Sequence, residues 1–227
     1  MVEREESERI AREGAILRCG VGPAAHGLAR DGEDDQEELL VAIEPPGYAL
    51  GLTRWERHVD KPLVAYSLRT FCILALQGNA TALIALYSPA ITVETTLGRE
   101  LRELAPAFVS RRLADRYAGY LRAQKDRLLG THYDVVYAMN VLRFAEQGRE
   151  LLESGELVLP LPEPVRSRII EVRDDNLHRE SVLSRVEEAE RMLERARYRT
   201  LLPDEPDTVR IETWMVDAYS RAWSGER

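Results

Sequence analysis

A run of acidic residues comes directly before a strongly apolar segment. That segment, residues 39–43, reads Leu-Leu-Val-Ala-Ile and is typical of a buried strand. Because alternate residues of a strand share a face, Asp35 and Glu37 would point the same way, and two such carboxylates are the ligands that a Mg²⁺ ion bridging nucleotide phosphates requires. The alternative, a solvated acidic loop, is favoured by the spacing alone. The acids of the run are Asp31, Glu33, Asp34, Asp35, Glu37 and Glu38.

A glycine turn lies just upstream of the acids. A short apolar strand over residues 15–21 runs into Gly22 and Pro23, and small residues follow at Ala24 and Ala25. Such a segment suits a tight helix after the strand, and its first N–H groups could face an anion. The sequence therefore predicts that the glycine turn and the acids lie side by side.

The elements that must position these residues form a mixed pattern. Strands are predicted over residues 15–21, 38–44, 52–58 and 63–66, and helices over residues 3–13, 68–77 and 79–87, with Ser67 as an N-cap. Further along the chain, helical periodicity dominates, in segments 111–129, 134–152, 165–172, 180–197 and 207–223. We therefore predict an α+β protein: an α/β domain with a mixed sheet over residues 1–95, followed by a helical domain over residues 96–227.

Composition excludes several classes of protein. The net charge of −8 argues against a protein that coats nucleic acid, so any such contact needs a local patch, for which the basic helix 111–129 is a candidate. No apolar run has the length of a membrane span and the N-terminus is charged, so we expect a cytoplasmic protein. Cys19 and Cys72 are expected to be buried, reduced thiols, and the four scattered histidines suggest no zinc site.

The order of short motifs resembles the DNA polymerase β-type nucleotidyltransferase superfamily, and within it a bacterial and phage group of predicted nucleotidyltransferases. The matching segments are Gly22-Pro23-Ala24-Ala25-His26-Gly27, Gly32-Glu33-Asp34-Asp35-Gln36-Glu37-Glu38, Tyr66-Ser67-Leu68-Arg69 and Gly119-Tyr120-Leu121-Arg122-Ala123-Gln124. The resemblance extends from about residue 16 to residue 223. It implies a nucleotidyltransferase-like fold in the N-terminal domain.

The resemblance also implies a reaction and roles. A nucleoside monophosphate would pass from an NTP such as ATP to a hydroxyl of RNA, protein or a small molecule, with pyrophosphate leaving. Asp35 and Glu37 would hold Mg²⁺, and Asp60 would be the candidate third carboxylate. Gly22 and His26 would line the triphosphate, although His26 could equally be a solvated turn residue. Asn140 and Arg143 share a helix face that the group uses for binding. The alternative for Arg143 is that the aliphatic part of its side chain covers the hydrophobic core.

The sequence departs from this group at positions that carry chemistry. Pro23 replaces a serine and so removes a hydroxyl and an N–H, and Pro62 stands where the third carboxylate is expected. Asp60, two residues earlier, would share the face of Pro62 only if the chain stayed extended. The alternative function is therefore a catalytically inactive nucleotidyltransferase-fold protein that binds a nucleotide or a partner protein. A helical scaffold with a surface acid cluster ranks last, and the oligomeric state stays open.

Overall fold

The structure, a computed structural model, describes residues 3–29, 37–130, 134–174 and 178–225. It confirms the predicted α+β class, with a mixed five-stranded sheet in the N-terminal half and a helical region after it. The chain forms two compact units. The first unit runs up to Phe108 and resumes at Asp207, and the second unit is Val109–Pro206. The predicted domain boundary between residues 95 and 96 stays a prediction.

The sheet of the first unit has the order β3-β4-β2-β1-β5. Strands β2 and β4 are parallel, with Glu38 opposite Leu63, and the other neighbours are antiparallel. The predicted strands are found, although the predicted strand at 52–58 begins only at Arg57, and β5 was not predicted. The strands are β1 (Ala15–Gly20), β2 (Glu38–Ala42), β3 (Arg57–Asp60), β4 (Leu63–Ser67) and β5 (Ile91–Glu94).

Several helices of the first unit begin at side-chain caps. Ser67 Oγ accepts the N–H of Thr70 at 3.2 Å, which confirms the predicted N-cap, and Asn79 Oδ1 accepts the N–H of Ala82 at 3.1 Å. The helices are α1 (Arg4–Glu13), α2 (Pro46–Ala49), α3 (Leu68–Leu76), α4 (Ala80–Tyr87), α5 (Thr96–Glu103) and α10 (Thr208–Ser224), with 3-10 helices at Pro23–His26 and Ala105–Phe108.

The two faces of the sheet are covered by different helices. On one face, Leu40, Ala42 and Ala65 form a buried cluster with Ile10 and Ala11 of α1. On the other face, the thiol of Cys19 lies 3.6 Å from the carbonyl oxygen of Ala85 in α4. Because side chains alternate along β2, Leu39 and Val41 belong to the face of α4. Position 37 has the same parity, so the residue before β2 also faces that side.

Helix α10 returns to the first unit. The N–H of Asp207 donates to the carbonyl oxygen of Ala107 at 2.9 Å. Tyr219 donates its hydroxyl to Oε2 of Glu44 at 3.0 Å, and Trp223 donates its indole N–H to the Glu44 carbonyl oxygen, also at 3.0 Å. The helix thus closes over the end of β2, where the Glu44 carboxyl is buried.

The second unit is helical, as predicted for its four segments. Its buried residues include Tyr117, Val141 and Val186. Gly155 ends α7 in the left-handed region with a φ of 79°, which explains the glycine at that position. The helices are α6 (Leu113–Gly130), α7 (Val135–Ser154), α8 (Val165–Arg173) and α9 (Arg179–Arg199).

Two further observations bear on the expectations from composition. Cys19 and Cys72 are both free and buried, and burial raises the pKa of each thiol to about 12. Within the described ranges, no single helix has the length and apolar character to cross a membrane. Helices α3 and α4 have the required length and apolar character only when taken together, and the pair is bent by 109°.

Candidate functional site

Glu37 lies directly against Gly22, where β1 ends and β2 is about to begin. The N–H of Val21 donates to the carbonyl oxygen of Glu37 at 2.9 Å. A Cβ atom built on Gly22 would lie 3.0 Å from Cβ and 3.1 Å from Oε2 of Glu37. The absence of a side chain at position 22 therefore leaves the space that the Glu37 side chain occupies. Asp35, the other predicted ligand, lies outside the described residues.

A cavity of about 460 Å³ opens beside this pair. Its volume is in the range of about 300–1,000 Å³ that is typical of small-molecule sites. The cavity lies on the face of the sheet that α4 covers, since Leu39 and the first turn of α4 both contribute to it. Its lining residues include Val21, Glu37, Glu38, Leu39, Lys61, Pro62, Val64, Tyr66, Asn79 and Thr81.

His26 does not line this cavity as an exposed ligand. Its side chain is fully buried, and Nδ1 lies 2.9 Å from the carbonyl oxygen of Gly22. Nδ1 therefore carries the proton and donates it to that carbonyl. The burial of the side chain does not agree with a solvated turn residue, and the triphosphate contact stays a prediction. The hydrogen bond ties His26 to Gly22 across the short 3-10 helix that begins at Pro23.

Asp60 is not brought to Glu37. In the antiparallel pair of β3 and β4, Asp60 is directly opposite Leu63, and directly opposite residues share a face. Leu63 packs against the cluster under α1, so Asp60 belongs to the α1 side. Pro62 belongs to the cavity side, and its carbonyl oxygen accepts the N–H of Glu38 at 3.1 Å. The chain reverses between Asp60 and Pro62, and this separates two residues that an extended strand would have kept together.

Asp60 belongs to a different polar group. One ligand atom each from Glu8, His58 and Asp60 lies within 4.8 Å of the others. The guanidinium of Arg4 bonds to Glu8 at 2.8 Å and to Asp60 at 3.4 Å, so an arginine already supplies positive charge there. His58 Nδ1 lies 3.1 Å from Oγ of Ser7, which also accepts the indole N–H of Trp55 at 2.7 Å. This group fastens α1 to the edge of the sheet.

Some charged side chains around the cavity form ion pairs with described residues, and others do not. Glu38, next to Glu37, forms an ion pair with Arg18 of β1. Glu37 is exposed and forms no ion pair with a residue that the structure describes, and the same is true of Lys61. The guanidinium of Arg57 lies 5.8 Å from the ring centre of Tyr66. The cavity therefore offers one unpaired carboxylate and one unpaired ammonium among its described lining residues.

Asn140 and Arg143 lie on α7 in the second unit. Arg143 donates to Oδ1 of Asn140 at 3.1 Å, and its guanidinium lies 4.6 Å from the ring centre of Phe144. The two residues thus share a helix face and contact each other, as their spacing predicts. Both are partly buried.

Cations on and beside α6 are largely neutralised within the second unit. Arg111 pairs with Asp204 at 3.2 Å, Arg112 pairs with Glu205, and Lys125 pairs with Glu190 at 2.6 Å. The guanidinium of Arg116 lies 5.0 Å from the ring centre of Tyr120. Several cations of the predicted basic helix 111–129, the candidate patch for nucleic-acid contact, are therefore engaged in contacts within the protein.

The sequence did not single out Lys61, Asn79 or Thr81 as site residues. Lys61 lies in the turn between β3 and β4, and the parallel pairing of β4 with β2 that brings this turn to the cavity cannot be read from periodicity. Asn79 is recognisable only as a helix cap. The signal that could have found Lys61 is its place beside Pro62, the position expected for the third carboxylate.

Comparisons with known proteins cover nearly the whole chain. A family model described as "RlaP: RNA repair pathway DNA polymerase beta family" matches residues 2–217. No curated protein matches the chain. Among solved structures, the chain is similar to a nucleotidyltransferase-like protein from Exiguobacterium sibiricum 255-15, at 18% identity over 85% of this chain and 71% of that chain, with a TM-score of 0.29.

Proposed function

We propose that this chain, which belongs to the RNA repair pathway DNA polymerase beta family, binds a nucleoside triphosphate in the cavity beside Gly22 and Glu37. The nucleoside monophosphate is then transferred to a hydroxyl acceptor, and pyrophosphate leaves. The observation that carries the proposal is the approach of Glu37 to Gly22, with 3.0 Å between the Glu37 Cβ and a Cβ built on the glycine. This approach supports a carboxylate in the lining of a cavity of suitable size.

A divalent cation fits the donor set around Glu37. Magnesium binds through one or two carboxylates together with substrate phosphates. Glu37 is exposed and forms no ion pair with a described residue, so its carboxylate is available as one ligand. Asp35 is the proposed second ligand, from its spacing in the sequence. When bound, such an ion would neutralise charge on the phosphates, while Glu37 and the cavity walls orient the nucleotide.

The proposed acceptor is the hydroxyl of an RNA end. The family's description places it in an RNA repair pathway, and this supports RNA over a protein or small-molecule acceptor. The structure contributes one restriction. Because Arg111, Arg112 and Lys125 are paired within the second unit, RNA binding there requires these ion pairs to open or other cations to take part.

The test is a transfer assay with the full chain. Each of the four α-labelled ribonucleoside triphosphates is incubated with Mg²⁺ and a short RNA bearing free hydroxyl ends, and labelled RNA is resolved on a denaturing gel. We expect labelled RNA with at least one nucleotide, and at least about a tenfold loss in Glu37→Gln. Binding of Mg²⁺–NTP without any labelled acceptor would reject transfer.

A second function, nucleotide binding without turnover, is favoured by a specific observation. In the parallel pair of β2 and β4, the position before Leu63 is Pro62, which lines the cavity next to Glu37. Proline supplies neither a carboxylate nor an N–H there. Asp60 lies on the other face of the sheet, with Arg4. The same assay separates the two functions, because an inactive binder retains nucleotide affinity and yields no labelled product.

A further inference from the structure

We propose that Lys61 is the residue that binds the polyphosphate of the nucleotide. This inference rests on the proposed function, since it assigns a ligand contact within the same cavity. The lysine occupies the turn between β3 and β4, is exposed to solvent, and lines the cavity together with Glu37. A single ammonium group with three donors suits phosphate oxygens, which it contacts as a point charge.

The strand pairing brings Lys61 to the acidic end of β2. Glu38 is opposite Leu63 in the parallel pair, and its N–H donates to the carbonyl oxygen of Pro62 at 3.1 Å. Neighbouring strands lie about 4.8 Å apart, so the residues before Leu63 lie beside the residues before Glu38. Lys61 is therefore at the same end of the sheet as Glu37 and the Gly22 turn.

The charge balance of the cavity favours a cationic group at this position. A triphosphate brings several negative charges to a site where the Glu37 carboxylate forms no ion pair with a described residue. Glu38 is already neutralised by Arg18. A bound divalent ion meets part of this charge, and among the described lining residues Lys61 is the one with a cationic side chain.

In the turn that begins at Gly22, the other candidate donors to a phosphate are missing or already form hydrogen bonds. Pro23 has no N–H, and the N–H of Ala25 donates to the Gly22 carbonyl oxygen at 3.0 Å. The imidazole of His26 donates to the same carbonyl and is fully buried. Asn79 uses only Oδ1 to accept the N–H of Ala82, so its amide NH₂ and the hydroxyl of Thr81 are neutral donors in the cavity lining. Lys61 is the charged donor among the described lining residues, and charge-assisted hydrogen bonds to phosphate are roughly twice as strong as neutral ones.

The second lysine of the chain supplies a matched control. Lys61 and Lys125 are the two lysines in the sequence. Lys125 pairs with Glu190 at 2.6 Å in the second unit, whereas Lys61 forms no ion pair with any residue that the structure describes. Substituting either lysine removes the same charge from the protein, but only Lys61 lies in the cavity.

The experiment compares nucleotide affinities by calorimetry. Mg²⁺–ATP and AMP are titrated into the wild type, Lys61→Met, Lys61→Arg and Lys125→Met, with thermal melts to verify folding. We expect Lys61→Met to weaken ATP binding by about tenfold, as for loss of a hydrogen bond to a charged group, and AMP binding by less than about twofold. Lys61→Arg should keep most of the ATP affinity, and Lys125→Met should bind as the wild type does.

The outcomes separate the inference from the function on which it rests. If the wild type binds ATP and Lys61→Met binds it equally well, the assignment of Lys61 is overturned while nucleotide binding stands. An equal loss of ATP and AMP affinity would also overturn it, because the lysine would then not act on the polyphosphate. If the wild type binds neither nucleotide, the proposed function fails and the assignment fails with it.

Discussion

The side chain of Glu37 occupies the space beside Gly22, so that a methyl group on the glycine would lie 3.0 Å from Cβ and 3.1 Å from Oε2 of the glutamate. The glycine has a φ of −82°, so alanine would not be strained at this position and only the contact matters. We expect Gly22→Ala to displace Glu37 and lower the transfer rate by up to about 100-fold, as small misplacements in active sites do. The free energy of unfolding should fall by only about 1 kcal/mol, because Glu37 is exposed and can move.

Gly47→Ala is the matched control for that substitution, since a Cβ there would meet nothing within 4 Å. Transfer kinetics and thermal melts of both variants check the prediction. A Gly22→Ala protein with wild-type kinetics would show that the position of Glu37 does not matter to the reaction.

Glu37 and Asp60 are expected to differ in their effect on activity. Glu37 lines the cavity, whereas Asp60 bonds to Arg4 at 3.4 Å on the face of α1. Glu37→Gln should lower Mg²⁺-dependent nucleotide transfer by at least about tenfold. Asp60→Asn should leave it within about twofold and change stability by less than about 1 kcal/mol, the usual contribution of an exposed ion pair. A large loss of transfer in Asp60→Asn would restore the aspartate as a site residue.

His26 is expected to act on stability. Its Nδ1–H donates to the Gly22 carbonyl oxygen inside the protein. His26→Ala should lower the free energy of unfolding by about 1–3 kcal/mol, because the Gly22 carbonyl keeps only the N–H of Ala25 as a donor and a cavity replaces the buried ring. Denaturant unfolding measures this loss. If His26→Ala were as stable as the wild type and bound nucleotide more weakly, the histidine would be a ligand contact.

Glu44 should make stability depend on pH. Burial raises the pKa of its carboxyl, and the hydroxyl of Tyr219, which donates to Oε2, offsets part of that shift. Between the ordinary pKa of a glutamate and this raised value, the folded state binds a proton that the unfolded state releases. Stability therefore falls as pH rises through this interval. Glu44→Gln should remove this fall and stabilise the protein at neutral pH, measured by thermal melts across pH.

Tyr219→Phe provides the complementary variant. It removes the donor to the carboxylate, so the pKa of Glu44 should rise further and the pH interval should widen. The hydroxyl also accepts the N–H of Arg69 at 3.2 Å, so we expect an additional loss of about 1 kcal/mol at all pH values. If Glu44→Gln leaves the pH dependence unchanged, another group is responsible for it.

The parts of the fold that local chemistry specifies were predictable from the sequence. Ser67 accepts an N–H at the start of α3, and Gly155 adopts a positive φ after α7, and both residues are typical of those positions. The predicted strand over residues 52–58 includes Trp55, but the strand begins only at Arg57. The indole is instead buried under α1 and donates to Ser7. That contact joins residues 48 positions apart and has no local signature.

The proximity of Gly22 and Glu37 was predictable from the sequence, whereas the position of Asp60 was not. The proximity of the glycine turn to the acids before β2 follows from two consecutive antiparallel strands, and Glu37 lies where this pattern indicates. The placement of Asp60 was not predictable, because it depends on a chain reversal at Lys61 and Pro62. This reversal leaves Asp60 on the face of the sheet opposite to the cavity. Periodicity gives the alternation within each strand, whereas the relation between strands depends on register.

The bond between Asp207 and Ala107 has a consequence for the modular design of this chain. Residues 109–206 leave and rejoin the first unit at positions that are in hydrogen-bond contact, and within the second unit the N–H of Arg111 likewise donates to the carbonyl oxygen of Pro203 at 2.9 Å. The helical unit is thus a cassette with adjoining ends. The unit could be removed and replaced by a few glycines, or exchanged for another helical unit with adjacent ends. Neither change would cut a strand of the sheet or remove the contacts of α10 with the first unit.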